Sequence, residues 1–286
     1  MTLLTVAGLH VRSPEGRDLV SDVSFTLDAG ERLGLIGESG SGKSMTALAI
    51  MGLTPPGMTV SGSVVFDAPG LDRSLDRGLD RIEVVGAGER RLTSLRGRAT
   101  STVFQEPLTA LDPLMRVGRQ VAEPLRRRRG LRGRALRAAV TAALEEVRLA
   151  DPERIARAYP HEISGGQRQR VAIAMAIACD PALLIADEPT TALDVTVQAD
   201  VLALLDGLVE ERGMALLFIS HDLAVVSRIA ERVIVLKDGA AVESGSAGEV
   251  VNAPRHPYTR DLVGSARRLD GALDGALDGA VDWRTP

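Results

Sequence analysis

Apolar and polar positions follow two different patterns in the first part of the chain. Residues 2–11 and 20–27 alternate loosely between apolar and polar side chains, which is typical of half-buried strands, and residues 13–16 carry turn formers between them. Residues 33–36 are instead a continuous apolar run, which indicates a buried strand. Together these patterns predict an antiparallel sheet that leads into an α/β core.

Continuous apolar runs return in the second half of the chain. The runs at residues 182–186 and 214–219 have the composition of strands that are buried on both faces of a parallel sheet. Shorter strands are expected at residues 63–66, 102–104, 232–236 and 241–243. The last two flank Asp238-Gly239, which predicts a hairpin.

Helices are predicted between these strands. The expected helical segments are residues 45–51, 117–158 and 164–178, followed by a helix after Asp194 that ends at Gly213. The apolar residues of this last helix form one stripe, made of Val197, Val201, Leu204, Leu205 and Leu208.

Two segments have a repetitive composition. Residues 70–81 repeat Leu-Asp-Arg at a four-residue period, which suits a short amphipathic helix or an exposed insertion, and we favour the insertion. Residues from 269 onward repeat Leu-Asp-Gly-Ala, which predicts a flexible tail. The expected organisation is one domain over residues 1–268, with a helical subdomain at about 106–178, followed by the tail at 269–286.

A glycine-rich stretch lies between the strand at 33–36 and the helix at 45–51. It fits the P-loop pattern G-x-x-x-x-G-K-[ST] at every fixed position and consists of Gly37, Glu38, Ser39, Gly40, Ser41, Gly42, Lys43 and Ser44. Its glycines let backbone N–H groups wrap around phosphate oxygens, and the following helix points its positive end at the same anion. Lys43 is expected to reach the β- and γ-phosphates of ATP, and the Ser44 hydroxyl to ligate Mg²⁺.

Composition argues against several other classes of function. The formal net charge is −4 and aromatic residues are 2% of the chain, so nucleic acid is not expected as the main ligand. The arginine run at residues 126–129 is interpreted as a solvated helix face. Cys179 is the single cysteine, which excludes an internal disulfide. No apolar run approaches the roughly 18 residues of a membrane helix, so we expect a soluble protein.

Two carboxylates stand at the end of the apolar run at 182–186. In P-loop ATPases the first acidic residue at such a strand end holds Mg²⁺ through water, and a following glutamate can polarise the attacking water. These roles fall on Asp187, as the magnesium-binding residue, and on Glu188, as the general base.

Five motifs occur in an order that resembles the ABC ATPases. Residues 163–167, Ile-Ser-Gly-Gly-Gln, resemble the signature motif of that family, with Ile163 where leucine is usual. The motif lies 21 residues before Asp187, counted from Gly166 (187 − 166 = 21). Gln105 resembles the Q-loop glutamine, residues 192–194 the D-loop and His221 the switch histidine. Together with the P-loop, this resemblance covers nearly the whole chain.

The resemblance implies an α/β fold: a P-loop, RecA-like ATPase core with an antiparallel β subdomain and a helical subdomain. It also implies that two ATPase domains meet head to tail, so that each ATP lies between the P-loop of one domain and the signature of the other. The signature residues that would form this second anion site are Ser164, Gly165, Gly166 and Gln167.

The same resemblance assigns the catalytic residues and the remaining metal ligand. Glu188, His221 and Gln105 would act on the attacking water and the γ-phosphate, with Glu188 as base and His221 holding both groups. Gln105 would also link the γ-phosphate to the helical subdomain and join Ser44 and Asp187 at Mg²⁺. The implied cofactors are therefore ATP and Mg²⁺.

Three further stretches, residues 104–113, 186–195 and 254–259, resemble the peptide and nickel importer subfamily. That resemblance implies an ATPase that powers uptake of dipeptides, oligopeptides or chelated nickel in bacteria. The implied partners are two membrane permease subunits, a second ATPase subunit that is another copy or a similar chain, and a periplasmic or lipid-anchored solute-binding protein, without nucleic acid. The implied location is the cytoplasmic face of the cell membrane.

The sequence departs from the family pattern near the adenine site and near residues 70–96. No aromatic residue for stacking on adenine is present near Ser13, so either His10 or Arg12 stacks instead or the base is held loosely. The long insertion near 70–96 has no functional account. Two alternatives are a non-transport ABC ATPase of phosphonate degradation and a DNA-repair or translation ATPase. The second kind usually carries a long coiled coil or two ATPase domains, and the sequence has neither.

Overall fold

The computed structural model describes residues 1–67, 81–104, 110–190 and 194–274, with the backbone alone for residues 195 and 268–274. The strands of these residues are β1 (Thr2–Arg12), β2 (Asp18–Asp28), β3 (Arg32–Ile36), β4 (Thr59–Asp67), β5 (Arg81–Glu83), β6 (Thr100–Val103), β7 (Leu183–Asp187), β8 (Ala215–Ser220), β9 (Arg232–Lys237) and β10 (Ala240–Ser246).

The helices are α1 (Lys43–Ile50), α2 (Glu89–Leu95), α3 (Val117–Arg129), α4 (Gly133–Glu146), α5 (Pro152–Arg157), α6 (Gly165–Ile177), α7 (Val195–Arg212), α8 (Leu223–Ile229), α9 (Ala247–Asn252) and α10 (Pro257–Asp274), with a 3₁₀ turn at Pro160–Glu162. Across the described residues, no helix is long and apolar enough to cross a membrane.

The strands form two sheets. An antiparallel sheet has the order β2-β1-β4-β5, and a six-stranded sheet has the order β10-β9-β3-β8-β7-β6. In the six-stranded sheet β9, β3, β8, β7 and β6 are parallel, and β10 pairs antiparallel with β9 at one edge. The predicted antiparallel sheet, the P-loop core and the hairpin around Asp238 are therefore confirmed.

The six-stranded sheet is buried on both faces, because two layers cover it. In β7, Leu184 and Ala186 belong to the core beneath the helices, whereas Leu183 and Ile185 belong to the core shared with the antiparallel sheet and α1. Side chains in a strand point alternately to opposite faces, so a continuous apolar run is required where both faces are covered. This is why β7 and β8 lack the alternation of β2.

Parallel pairing brings the predicted site residues to one edge of this sheet. At the carboxyl end of β3, Ile36 pairs with Ser220 of β8, and at the end of β7, Asp187 pairs with Ile219. The P-loop that follows β3, the carboxylates that end β7 and His221 after β8 therefore emerge side by side. Ligands of open α/β sheets bind outside this edge.

The region expected to be helical at about 117–158 contains the three helices α3, α4 and α5. α3 ends at Gly130, which has a left-handed φ of 66°, and α4 ends before Val147. α6 begins and ends within one residue of the helix expected at 164–178. The predicted helical subdomain thus contains α3 to α6 among the residues that the structure describes.

Part of the expected insertion near 70–96 is packed into the fold. Residues 68–80 lie outside the described residues, but β5 pairs with β4, and Leu92 and Leu95 of α2 are buried in the core. Arg96 donates hydrogen bonds to the carbonyls of Met51 and Gly52, just after α1. The sequence offered no account of this insertion, and the structure gives residues 81–96 a structural one, because Arg96 hydrogen-bonds the backbone at the end of the P-loop helix.

The C-terminal helices α8, α9 and α10 were not predicted. α8 and α9 have seven and six residues, which is too short for a helical period to be recognised in the sequence. α10 continues to Asp274 and so crosses the boundary at 269 where a tail was expected. The rest of the expected tail, residues 275–286, lies outside the described residues.

Replacing Gly34 by alanine is predicted to destabilise the fold. Gly34 lies in β3, and a Cβ atom there would be 2.2 Å from Cγ1 of Val226 in α8. Overpacking of this kind costs about 1–3 kcal/mol, which urea unfolding of the purified variant would measure as a lower free energy of unfolding.

Gly264→Ala is the matched control, because a Cβ atom at this position of α10 meets nothing within 4 Å. The double variant Gly34→Ala/Val226→Ala should lose less free energy of unfolding than the two single variants lose together, since Val226→Ala removes the clashing methyl group. Equal stability of Gly34→Ala and Gly264→Ala would contradict this account of how β3 and α8 pack.

Candidate functional site

The P-loop joins β3 to α1 and is shaped by backbone contacts. Gly42, the residue before α1, has φ of 99°, and a Cβ atom there would be 2.6 Å from the carbonyl oxygen of Leu19. Gly42 has no side chain with which to cap the N-terminus of α1. The first amides of a helix have no partner within the helix, so this end presents N–H groups to an anion.

Lys43 carries a buried positive charge at the first position of α1. Only 4% of the residue is exposed, and Nζ donates to the carbonyls of Gly37 (2.7 Å) and Glu38 (2.9 Å). Burial lowers the pKa of the Lys43 ammonium, and the charges of Glu188 and Asp187 partly offset that shift. An ammonium in this position favours an anion nearby, because the two carbonyls and the neighbouring carboxylates replace only part of its hydration.

Ser44 and Asp187 bring two oxygen atoms together at the end of β7. The Ser44 hydroxyl donates to Oδ1 of Asp187 over 3.1 Å. Burial raises the pKa of the Asp187 carboxyl, and the hydrogen bond from Ser44 counteracts part of this rise. Mg²⁺ prefers oxygen ligands and is usually held by one or two protein groups together with substrate phosphates, so this pair fits Mg²⁺.

Glu188 stands between Lys43 and His221. Its Oε1 lies 3.9 Å from Nζ of Lys43, and its Oε2 lies 3.2 Å from Nδ1 of His221. The backbone φ of Glu188 is 46°, a value uncommon for a residue with a side chain, and its N–H donates to the carbonyl of Ile219. The sheet therefore holds Glu188 in a strained conformation, which is a feature that often marks a functional position.

A cavity of about 640 Å³ opens over these groups, which is within the usual size range of small-molecule sites. Its lining includes P-loop residues, Leu19, Met45, Glu188 and His221. Within the described part of the chain, the buried hydroxyl of Ser41 has no hydrogen-bond partner. An unsatisfied hydroxyl and a buried ammonium in one loop fit the phosphate groups of a nucleotide.

The signature stretch forms the start of a helix, as predicted. Ser164 and Gln167 make a reciprocal capping box: the Ser164 hydroxyl accepts from the Gln167 N–H, and the Gln167 side chain accepts from the Ser164 N–H. α6 begins at Gly165, and Ile163 is buried just before it. Among the described residues that line the cavity over the P-loop, none comes from the signature. A single chain therefore does not bring the two predicted anion sites together.

Two other predicted motifs are described in part or not at all. Gln105 lies outside the described residues, as do residues 191–193, and the roles of Gln105 and of the D-loop remain predictions. Asp194 is described, and its carboxylate caps α7 by accepting from the N–H of Val197.

The residues suggested for contact with adenine are held elsewhere. His10 hydrogen-bonds the carbonyl of Gly8, Arg12 pairs with Asp18, and neither lines the cavity. Leu19 lines the cavity instead and was missed by sequence reasoning. Leu19 belongs to no motif. It reaches the P-loop because β2 lies against the turn after β9, where the N–H of Ser21 donates to the carbonyl of Gly239.

A second missed residue is Tyr258, at the start of α10. Its hydroxyl accepts a hydrogen bond from the N–H of Glu38 in the P-loop, 220 residues away in the sequence. The stretch at 254–259 marked a subfamily resemblance but indicated no role for its tyrosine.

Comparison with known protein families identifies the family of this chain. The model of the family described as "ABC transporter" matches residues 20–191, which is more than half of the chain.

Similar proteins of known name are import ATP-binding proteins. The chain is 45% identical to the glutathione import ATP-binding protein GsiA of Pectobacterium atrosepticum over 88% of its own length and 40% of that protein. It is 44% identical to a Brucella ovis protein, BOV_A0348, provisionally named a peptide import ATP-binding protein, over 94% of its length and 79% of that protein. The chain thus spans less than half of GsiA but most of the Brucella relative.

Solved structures show the same fold. The dimeric structure of MJ0796, a bacterial ABC transporter cassette, matches with a TM-score of 0.72 and 29% identity, over 86% of this chain and 99% of that chain. A post-hydrolysis dimer of the same cassette bound to ADP and Pi also matches 86% of this chain and 99% of that chain, with a TM-score of 0.70 and 30% identity. Given the family match over residues 20–191 and the similarity to most of the Brucella protein, the chain belongs to the ABC transporter family as an ATP-binding domain.

Proposed function

We propose that this chain hydrolyses ATP and thereby powers import of a peptide-type solute through a membrane transporter. The ATPase part rests on one observation: Lys43, Glu188 and His221 line one cavity at the sheet edge. Ser44 lines the same cavity and is hydrogen-bonded to Asp187. The import part is supported by the names of the relatives, which are glutathione and peptide import proteins. These names favour peptides over chelated nickel, and favour import over phosphonate degradation, DNA repair or translation.

In the proposed mechanism, the P-loop binds the phosphates of ATP. The amides at the start of α1 hydrogen-bond phosphate oxygens, and Lys43 turns its ammonium from the carbonyls of Gly37 and Glu38 towards the phosphates. Ser44 and Asp187 would hold Mg²⁺, which when bound supplies positive charge against the phosphates. Gln105 is proposed as a further ligand.

Glu188 is the proposed general base. Its carboxylate accepts the proton of the attacking water, and its position is maintained by His221 on one side and by the strand-end backbone on the other. Once Lys43 interacts with phosphate, its attraction for Glu188 is shared, which favours a hydrogen bond from water to the Glu188 carboxylate. His221 is half exposed, which leaves it able to reach the γ-phosphate as well.

A second ATPase subunit completes each site in this proposal. Ser164, Gly165, Gly166 and Gln167 present a capped helix start, but in one chain they do not line the P-loop cavity. A second subunit, either another copy or a similar chain, supplies its signature to the phosphates from the opposite side. The similar cassette MJ0796 has been solved as a dimer, which supports this arrangement.

The remaining partners are two membrane permeases and a solute-binding protein, with the ATPase at the cytoplasmic face of the membrane. Reconstitution of the chain with its permeases and binding protein in liposomes tests this function. Uptake of a labelled dipeptide or tripeptide should require ATP inside and fail with Lys43→Ala. ATP hydrolysis that is unaffected by permeases and peptide would contradict the import function while leaving the ATPase in place.

Lys43→Ala is predicted to lower kcat/KM for ATP by at least about 10²-fold, because it removes the buried cation that stabilises charge on the phosphates. Steady-state ATPase assays of the purified variant measure this change. Arg126→Ala is the matched control, since it removes an exposed cation in α3 that pairs with Glu123. Similar activity of the two variants would disprove the role given to Lys43.

Glu188→Gln is predicted to keep ATP binding and to slow hydrolysis by about 10²- to 10⁴-fold, because the amide does not accept a proton from water. With one negative charge fewer beside the γ-phosphate, the variant should accumulate as an ATP-bound dimer, alone or with its natural partner. Gel filtration with ATP and Mg²⁺ detects this species.

Glu153→Gln makes the same change on an exposed carboxylate of α5 and should behave as the unmodified chain. Normal turnover by Glu188→Gln would move the base elsewhere, with His221 as the next candidate. Loss of ATP binding would instead give Glu188 a structural role.

A further inference from the structure

The P-loop is hydrogen-bonded to a side chain of the C-terminal helix. Tyr258, the second residue of α10, is only 8% exposed, and its hydroxyl accepts a hydrogen bond of 2.9 Å from the N–H of Glu38. Nζ of Lys237, the last residue of β9, lies over the tyrosine ring, 5.0 Å from its centre. The phenol group is therefore oriented from two sides, by the ring contact and by the P-loop backbone.

The loop before α10 is ordered so that the tyrosine arrives at this point. The carboxylate of Glu243 in β10 accepts hydrogen bonds from the N–H groups of Arg255 (2.8 Å) and His256 (2.9 Å). Nδ1 of His256 then accepts from the N–H of Tyr258 over 3.2 Å. The Glu243 carboxylate thus ties the loop before α10 to β10 by two hydrogen bonds, and the His256 side chain links that loop to the first turn of α10 by a third.

The same hairpin also contacts the P-loop directly. The N–H of Gly239, in the turn between β9 and β10, donates to the carbonyl of Ser41 over 3.2 Å. At Gly37, a Cβ atom would be 2.3 Å from the carbonyl oxygen of Leu236. The hairpin and α10 together form a support along one side of the P-loop.

The peptide unit between Gly37 and Glu38 is held at both of its polar groups. Its carbonyl accepts from Nζ of Lys43 over 2.7 Å, and its N–H donates to Tyr258. In the proposed mechanism Lys43 directs its ammonium to the phosphates of a nucleotide, so its hydrogen bond to this carbonyl is weakened. Tyr258 then remains as the side chain that fixes the orientation of this peptide unit.

We propose that Tyr258 is a positioning residue for the P-loop, whose hydroxyl keeps the Gly37–Glu38 peptide in the orientation that binds nucleotide phosphates. Its effect differs between the two states, because Lys43 holds the same peptide unit more firmly before nucleotide binds. Removing the hydroxyl therefore destabilises the nucleotide-bound loop more than the free loop, and the difference is a loss of affinity. The proposal rests on nucleotide binding and does not depend on the transported solute.

The test compares Tyr258→Phe with Tyr159→Phe in the full chain. Both changes remove one phenolic hydroxyl and keep the ring, but Tyr159 lies beside the 3₁₀ turn before the signature, away from the P-loop cavity. The dissociation constants of MgATP and MgADP are measured by titration calorimetry, together with kcat and KM. Exchange of the Glu38 amide is followed by NMR of ¹⁵N-labelled protein.

For Tyr258→Phe we expect both dissociation constants to rise by about threefold to tenfold, the range that corresponds to one net hydrogen bond. The fold increase should be similar for MgATP and MgADP, because both nucleotides carry the β-phosphate that Lys43 contacts. KM should rise by a comparable factor while kcat stays within about twofold, since Glu188 and Asp187 are not touched. The Glu38 amide should exchange faster, whereas Tyr159→Phe should leave both dissociation constants unchanged.

A packing role alone would lower the melting temperature of Tyr258→Phe and leave both dissociation constants unchanged, and that result would overturn the proposal. A loss of affinity for ATP but not for ADP would also overturn it, because the effect would then lie at the γ-phosphate. Glu243→Gln serves as a second variant. We expect it to raise the dissociation constants of both nucleotides, by a smaller factor than Tyr258→Phe does. Failure of the unmodified chain to bind either nucleotide would count against the proposed ATPase instead.

Discussion

The buried ammonium of Lys43 is the interaction on which the rest of the site depends. Removing a charge from water costs several kcal/mol unless other groups replace the hydration. Here the carbonyls of Gly37 and Glu38 and the carboxylates of Asp187 and Glu188 do so in part. These groups surround Lys43 only because the carboxyl ends of β3 and β7 lie close together. The hydration that they do not replace leaves Lys43 attractive to an anion at this edge of the sheet.

The fold satisfies this condition with a sheet buried on both faces. β8 lies between β3 and β7 and pairs in parallel with each, so the P-loop and the two carboxylates emerge at the same edge. The antiparallel sheet and α1 cover one face, and the larger helices cover the other. Contacts distant in sequence then stiffen the P-loop segment: Arg96 hydrogen-bonds the end of α1, and the hairpin of β9 and β10 with Tyr258 supports the loop itself.

Sequence alone predicted the parts of the site that are encoded locally. Three such parts are the P-loop, the strand end at Asp187-Glu188 and the capped start of α6 at Ser164. Each consists of neighbouring residues, so a short sequence motif is enough to predict its local structure. Leu19 and Tyr258 could not be found in this way, because they reach the P-loop only through tertiary contacts over long sequence distances. The same reason applies to residues 81–96, whose packing depends on strand β4 and helix α1 rather than on their own pattern. Gln105 and residues 192–193 of the D-loop fall outside the described residues, and the roles of both motifs remain predictions.

The central claim is that one chain carries both halves of an ATP site but cannot bring its own two halves together. The most direct test is the ATPase rate per chain, measured against chain concentration with the oligomeric state followed by analytical ultracentrifugation. The account predicts a low rate for the monomer that rises with dimer formation or when the natural partner ATPase is added. A high rate that is independent of concentration, from a chain proven to remain monomeric, would contradict it.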